Sequence, residues 1–271
     1  MNNYIIFTDL DGTLLDHHDY SFAQAIPALN KIRQLNIPII INSSKTYAEI
    51  KDIRTQLHNN SAFAVENGAA LFVPAEKQAD DKQTFEQVIL GTPIGDILET
   101  LHHLRKQHHF CFKGFSDYSI KALAEETGLS ETQSTQAKQR LASEPLKWLD
   151  TEENLSQFEA ELNAQGLQLI QGGRFYHVMG ENDKSLAMAW LLNGFNKQGK
   201  ILTIALGDSQ NDKKMLEQAD YAAVIRKQDN TFLPLNKNPE RVIYSEHAAP
   251  LGWQEAIEQL FAKLNLGECN E

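Results

Sequence analysis

Cysteine is nearly absent: Cys111 and Cys269 are the only two in 271 residues, and they stand at no metal or redox spacing. No disulfide framework can be built from them, so two reduced thiols are expected, as in a reducing cytosol. No stretch approaches the ~18 apolar residues that a membrane span needs. The start of the chain, Met1-Asn2-Asn3 and then a short apolar run, lacks the basic and long apolar regions of a signal peptide. The expectation is a soluble, cytoplasmic protein with no membrane partner. Basic residues are scarce too. With 25 Lys and Arg against 36 Asp and Glu, the net charge is −11, and no basic block offsets it. Such a chain displaces few counterions from a phosphate backbone, which excludes nucleic acid as a natural partner. Two hydrolase signatures are missing as well: the Gly-x-Ser-x-Gly elbow and the His-Glu-x-x-His helix. There is no internal repeat and no low-complexity tract.

What is there reads as an ordinary globular chain, 42% hydrophobic and long enough for one large domain or two modest ones. Tyr4–Thr8 and Ile37–Ile41 are apolar, β-prone runs, and Ala62–Val65 is a third. Helical spacing separates them at Ala23–Leu35, with Pro27 either opening or kinking the helix, and at Ala48–Leu57. Strands apolar at every position suit a parallel sheet covered on both faces, and the alternation implies a doubly wound sheet. A polar segment at Glu76–Thr84 reads as a hinge, after which the rhythm changes. Helices are expected near Ile94–Gln107, Glu131–Ala142 and Glu153–Gln165, and short strands near Leu167–Gln171 and Phe175–Val178. From Lys184 the strand–helix alternation resumes.

Two acidic motifs stand out. Asp9-Leu10-Asp11-Gly12-Thr13 follows the first strand, and i, i+2 alternation would turn both carboxylates toward one ligand. Gly207-Asp208-Ser209-Gln210-Asn211-Asp212 follows the strand Ile201–Leu206. Strand C-terminal ends are where open α/β sheets bind ligands. Four carboxylates there predict a hard cation such as Mg²⁺, with one group free for nucleophilic or acid–base work. The turn's own N–H groups could also meet an anion. A third element, Asn42-Ser43-Ser44-Lys45-Thr46, opens a helix after the second strand, where a hydroxyl and free N–H groups form an anion site. Lys184 is either a plain surface lysine or a fourth element of the set.

These four pieces, in this order, resemble the haloacid dehalogenase superfamily of phosphatases. The resemblance implies an α/β fold: a Rossmann-like doubly wound parallel sheet core (1–84 and 184–271) with an inserted α+β cap domain (85–183). Five peptides narrow it: Asn42-Ser43-Ser44-Lys45-Thr46, Glu66-Asn67-Gly68-Ala69, Gly114-Phe115-Ser116-Asp117, Ser143-Glu144-Pro145 and Gly172-Gly173-Arg174-Phe175-Tyr176-His177. Together they look like the mannosyl-3-phosphoglycerate phosphatase family.

Carried over residue by residue, the resemblance implies that Asp9 attacks phosphorus and becomes an aspartyl-phosphate. Asp11 protonates the leaving alcohol and then activates water. Mg²⁺ is held by Asp9, the Asp11 carbonyl and Asp208, with Asp212 as ligand or just behind one. Ser43 and Lys184 hold the phosphoryl oxygens, and Asn211 adds a contact. Arg174 and His177 are candidates for the glycerate carboxylate, because Arg pairs with carboxylates bidentately. His102-His103 and His108-His109 fall on one helix, with His102 and His109 sharing a face, and read as solvated. His17 and His18 stay unassigned. The implied partner is a small phosphorylated sugar or glycosyl-phosphoglycerate, of either mannose or glucose; oligomeric state is not legible. A phosphomutase and a non-catalytic phospho-ligand sensor are the readings from other classes.

Overall fold

A computed structural model describes residues 3–75, 84–171, 174–195 and 200–267. Most of the expected hinge (76–83), Gly172, Gly173 and Cys269 lie outside the described residues. In chain order the strands are β1 (Asn3–Thr8), β2 (Ile39–Asn42), β3 (Phe63–Val65), β4 (Ala70–Pro74), β5 (Phe85–Ile89), β6 (Phe112–Gly114), β7 (Ser143–Trp148), β8 (Leu167–Gln171), β9 (Tyr176–Gly180), β10 (Ile201–Gly207), β11 (Tyr221–Arg226) and β12 (Val242–Ala248). The helices are α1 (Ile26–Gln34), α2 (Tyr47–Gln56), α3 (Ile94–His108), α4 (Ile120–Thr127), α5 (Glu131–Ala137), α6 (Glu152–Ala164), α7 (Lys184–Phe195), α8 (Lys213–Gln218) and α9 (Leu251–Lys263). They form two compact units.

The first unit comprises Met1–Ser43, Ser61–Ala64 and Asp183–Glu271. Its strands lie in the order β3-β2-β1-β10-β11-β12, every neighbouring pair parallel. The chain starts in the middle, builds outward to β3, then returns to the other side of β1 with β10. The order therefore reverses between β1 and β10, and the crevice beyond their C-terminal ends is where such sheets take ligands. The apolar runs are buried as the pattern predicts: Ile6, Phe7, Ile40, Ile41, Ile204, Leu206 and Val224 are all fully covered. Pro27 opens α1 rather than kinking it, because its missing N–H falls in the first turn. The Ala28 N–H of that turn donates to Gln254 of α9 at 2.7 Å, and the Trp253 indole N–H donates to Thr8 Oγ1 at 3.1 Å. The first bond ties α9 to α1, and the second ties it to the strand that carries the first acidic motif.

The second unit comprises Ser44–Asn60 and Val65–Asn182. β4 and β5 form an antiparallel hairpin, and β6-β7-β9-β8 form a separate antiparallel sheet. The α3 residues Ile97, Leu101 and Leu104 and the α6 residues Phe158 and Leu162 pack with Leu146 and Val178 of this sheet. Three details depart from expectation. The helix expected to run to Ala142 stops at Ala137, and Ser143 begins a strand that contains Pro145. Helix α4 was unforeseen, although Ser119 caps its start and Gly128 ends it at φ 80°. His109 adopts φ 58° just past α3, so it leaves the helix and shares no face with His102.

The peptides that carried the narrow resemblance hold one another. Glu66, only 1% exposed, accepts N–H bonds from Leu141 (2.7 Å) and Ala142 (3.1 Å) and the Ser143 hydroxyl at 2.6 Å. Glu144 accepts the Ser116 N–H (2.7 Å) and hydroxyl (2.6 Å), and a Cβ on Gly114 would collide with its Oε1. Glu66, Asn67 and Gly68 hold successive φ values of 52°, 57° and 84°, a left-handed run that costs free energy and persists only when tertiary bonds enforce it. Glu66→Ala should therefore strand two buried N–H groups and destabilise this unit by about 3 kcal/mol, with Glu66→Gln recovering part. Urea titration checks it; an alanine variant within about 0.5 kcal/mol of wild type would remove Glu66 as the strut.

Candidate active site

Sheet register brings the two acidic motifs side by side. Thr8 pairs with Leu206 across β1 and β10, and the Asp9 N–H donates to the Leu206 carbonyl at 3.1 Å. The carboxylates of Asp9, Asp208 and Asp212 consequently offer oxygens that all lie within 4.8 Å of one another. Into this cluster comes Lys184, fully buried at the first turn of α7. Its ammonium donates to Asp9 Oδ1 and Asp212 Oδ1, each at 2.6 Å. The other oxygen of Asp212 accepts the N–H groups of Asp208 and Ser209, both at 3.1 Å. Those N–H groups are thus used internally rather than offered to an anion. Gly207 makes this wrap possible, since any Cβ there would overlap the Asp212 side chain.

Three acids and one base in a buried site leave an excess of negative charge. Burial pushes the Asp9 carboxyl up to about 8; Lys184 opposes that shift, and Asp212 and Asp208 reinforce it. Burial and the Asp212 charge lift Asp208 to about 6. Burial alone would lower the Lys184 ammonium, but Asp212 and Asp9 outweigh it and hold the group firmly protonated. The donor set of hard carboxylate oxygens, short of positive charge, fits a hard divalent cation.

Comparison with known proteins gives this geometry a family. The sequence pattern of the haloacid dehalogenase-like hydrolases matches residues 6–233. The chain belongs to that family. A Thermoplasma acidophilum protein of known structure matches with a TM-score of 0.66 at 17% identity, covering 98% of this chain and 100% of that one. A Bacteroides thetaiotaomicron phosphatase of the same superfamily gives 0.67 at 14% identity, over 98% and 96%. The subclass IIB sugar phosphatase BT4131 gives 0.62 at 13% identity, over 97% and 100%. At these identities the structures share a fold, an α/β domain of largely parallel sheet with a separate antiparallel sheet.

In this haloacid dehalogenase-like chain the other expected residues take varied places. β1 ends at Thr8, so strand alternation does not aim Asp11; it lies half-buried in the following turn, outside the carboxylate cluster, bridged to Leu15. Ser43 follows directly on β2, the neighbour of β1, and is buried with its N–H on the Ala64 carbonyl at 3.1 Å. It does not stand at a helix N-terminus. Thr46 caps α2 instead, in a reciprocal box with Glu49 that the Thr-x-x-Glu spacing spells out. Asn211 Oδ1 accepts the Ser209 hydroxyl at 2.6 Å. In the second unit, Arg174 is exposed and donates to the Thr127 carbonyl at 2.5 Å. His177 lies on β9 between Pro145 and Ile170, where burial, reinforced by the Arg140 charge, pushes it down to about 3. His17 and His18 are exposed.

Two residues escaped the sequence reading. Thr13 donates its hydroxyl to Asp208 Oδ1 at 3.1 Å, which gives the threonine of the first motif a physical purpose. Asn42 donates its amide to the Lys184 carbonyl at 2.8 Å and so anchors the start of α7. Both sit inside peptides already singled out, so proximity to a motif was the available signal. Among the described residues, no helix is long and apolar enough to cross a membrane.

Proposed function

We propose that this hydrolase is a phosphatase that releases phosphate from a small phosphorylated sugar acid through an aspartyl-phosphate, with mannosyl-3-phosphoglycerate as its substrate. The observation that carries the reading is the buried Lys184 ammonium shared by Asp9 and Asp212 at the β1/β10 switch point. An ammonium and an adjacent carboxylate are what a phosphoryl group needs: charge for its oxygens and a nucleophile for its phosphorus. Asp9 Oδ forms the bond to phosphorus as the alcohol leaves, and Asp11 supplies the proton that the alcohol takes. Asp11 then takes a proton from water as the water oxygen bonds to phosphorus, and the Asp9 carboxylate is restored. Ser43 and Lys184 bind phosphoryl oxygens, and Asn211 adds a contact.

Asp9 and Asp208, with the Asp11 carbonyl, would hold Mg²⁺; Asp212, with both oxygens engaged, would orient Lys184 and the turn behind them. The metal's chemistry when bound is to neutralise charge on the phosphate. Residues 85–183 act as the cap that selects the leaving group. His177, neutral at physiological pH, suits sugar hydroxyls better than a carboxylate, and Arg174, three residues earlier in the chain, supplies a positive charge. A substrate in this class accords with BT4131 being a sugar phosphatase.

Phosphate release from glycosyl-3-phosphoglycerates and hexose phosphates, with and without chelator, tests the reading. Mannosyl-3-phosphoglycerate should be cleaved fastest, with activity lost in chelator and restored by Mg²⁺. Release from hexose phosphates alone would remove the substrate assignment; release from none would remove the phosphatase.

Stability gives a separate check on the metal. Folded Asp9 keeps its proton to about pH 8 and Asp208 to about pH 6, whereas both lose it near 3.8 when unfolded. Between those values the folded state binds more protons, so metal-free stability falls as pH rises from about 4 to 8. A melting temperature in chelator should accordingly be lower at pH 8 than at pH 5.5. Saturating Mg²⁺ at about 100 Kd should restore about 2.7 kcal/mol at pH 8. No Mg²⁺ effect on melting would mean that the carboxylates hold no metal.

A further inference from the structure

The C-terminal ends of β10, β11 and β12 frame a cleft that the phosphoryl chemistry leaves unused. It measures about 280 Å³, and Gly12 and Asp208 of the two acidic motifs line it together with His17, Arg226, Lys227 and Ala249. The cleft therefore adjoins the carboxylate cluster within the first unit. Two of its lining groups carry permanent positive charge. Arg226 is engaged: its guanidinium donates to the Glu246 carbonyl at 2.5 Å and to the Asn230 side chain. Lys227 is not. Its backbone is pinned in a turn by bonds to Thr231 (3.0 Å) and from Asn230 (3.0 Å), while its half-buried side chain makes no hydrogen bond or ion pair among the described residues and acts on Asp208 and Asp229 only through space. The acid nearest in sequence, Asp229, is exposed and spends Oδ1 on the Thr231 N–H and hydroxyl.

An ammonium that bonds nothing in the fold gives it no contact that a methionine would lose. Beside a cleft next to a reactive carboxylate, its use is toward a ligand. We propose that this cleft receives a carboxylate of the substrate, on the leaving-group side of the phosphate ester, with Lys227 as its counter-charge. One free ammonium balances one negative charge, and Asp208 and Asp229 nearby disfavour a second phosphate. The volume is at the small end for ligand sites, which suits the acid portion of a substrate rather than its sugar. This rests on the phosphatase reading above and names the residue that makes it selective for phosphorylated acids.

The test compares 3-phosphoglycerate with glycerol 3-phosphate, which differ only in a carboxylate against a hydroxymethyl group, on the full-length protein with Mg²⁺. Wild type should favour the acid by about tenfold in KM, the factor that one ion pair of ~1.4 kcal/mol gives. Lys227→Met should bring the two KM values to within about twofold, and Lys227→Arg should keep the preference. Lys227 also acts electrostatically on Asp208, but that effect reaches both esters alike and cancels in the ratio. Loss of the preference in Arg174→Ala, with Lys227→Met unchanged, would overturn the proposal, as would a wild type that shows none. If neither ester is cleaved, the phosphatase reading fails for this class. Calorimetric titration of the same two compounds then decides the cleft alone: a Kd preference that Lys227→Met abolishes upholds it, and equal Kd values overturn it.

Discussion

Asp9→Asn is expected to reduce phosphate release by at least about 10⁴-fold without loss of the folded state. The amide matches the carboxylate in shape, so packing at the end of β1 is kept, yet its nitrogen and carbonyl oxygen cannot attack phosphorus. Nor does the exchange strand a charge. Lys184 keeps Asp212 at 2.6 Å, and one of three mutually repelling acids is removed. Metal-free stability should consequently be unchanged or higher at pH 8, where burial and the acids beside it make an ionised Asp9 most costly. Single-turnover phosphate release and a melting curve on the same sample separate the two effects. Activity within about tenfold of wild type would remove Asp9 as the nucleophile.

Lys184→Met has the opposite balance, with stability and turnover falling together. The side chain is 0% exposed and its ammonium faces two buried carboxylates, so methionine fills the volume and leaves both acids without a cation. Removing one partner of a buried ionic set costs about 3–5 kcal/mol, mostly the penalty of the charges left behind. Protonation relieves that penalty, so the variant's deficit should shrink between pH 8 and pH 5.5, the direction set by a folded Asp9 that holds its proton to about pH 8. Adding Asp212→Asn should recover part of the loss, because the two sites share one interaction. Phosphate release should fall at least about 10²-fold, since among the described residues Lys184 is the cation that acts on Asp9 and would meet developing charge. Urea titrations of the single and double variants at both pH values provide the check. A lysine-free site as stable as wild type at pH 8 would show that Lys184 is not the buried counter-charge.

The parts of the site that sequence reading reached are those written in adjacent residues. Asp9 and Asp208 announce themselves because each acidic motif follows a largely apolar strand, and strand ends are readable from such runs. The helix after Asn42–Thr46 is legible but its cap is not: Ser43, Ser44 and Thr46 are all plausible caps by type. Only the Glu49 carboxylate, three residues beyond Thr46, decides among them. Proline hid β7, since Pro145 argues against a strand by propensity, whereas in the sheet it pairs with His177.

The sequence by itself determined the chemistry on offer: two hard-oxygen acid motifs at strand ends, a strand–helix rhythm, and an interruption after the third strand. Its signals are local, because helix period, strand alternation and turn residues are set by side chains a few positions apart. Tertiary structure alone decided which groups meet. Lys184 and Asp9 are 175 positions apart, and nothing near Lys184 distinguishes it from a surface lysine. It becomes a buried counter-charge because β10 returns beside β1 and α7 begins at the carboxylates. The same closure sets Thr13 on Asp208 and leaves Lys227 facing a cleft, contacts that no window along the chain could contain.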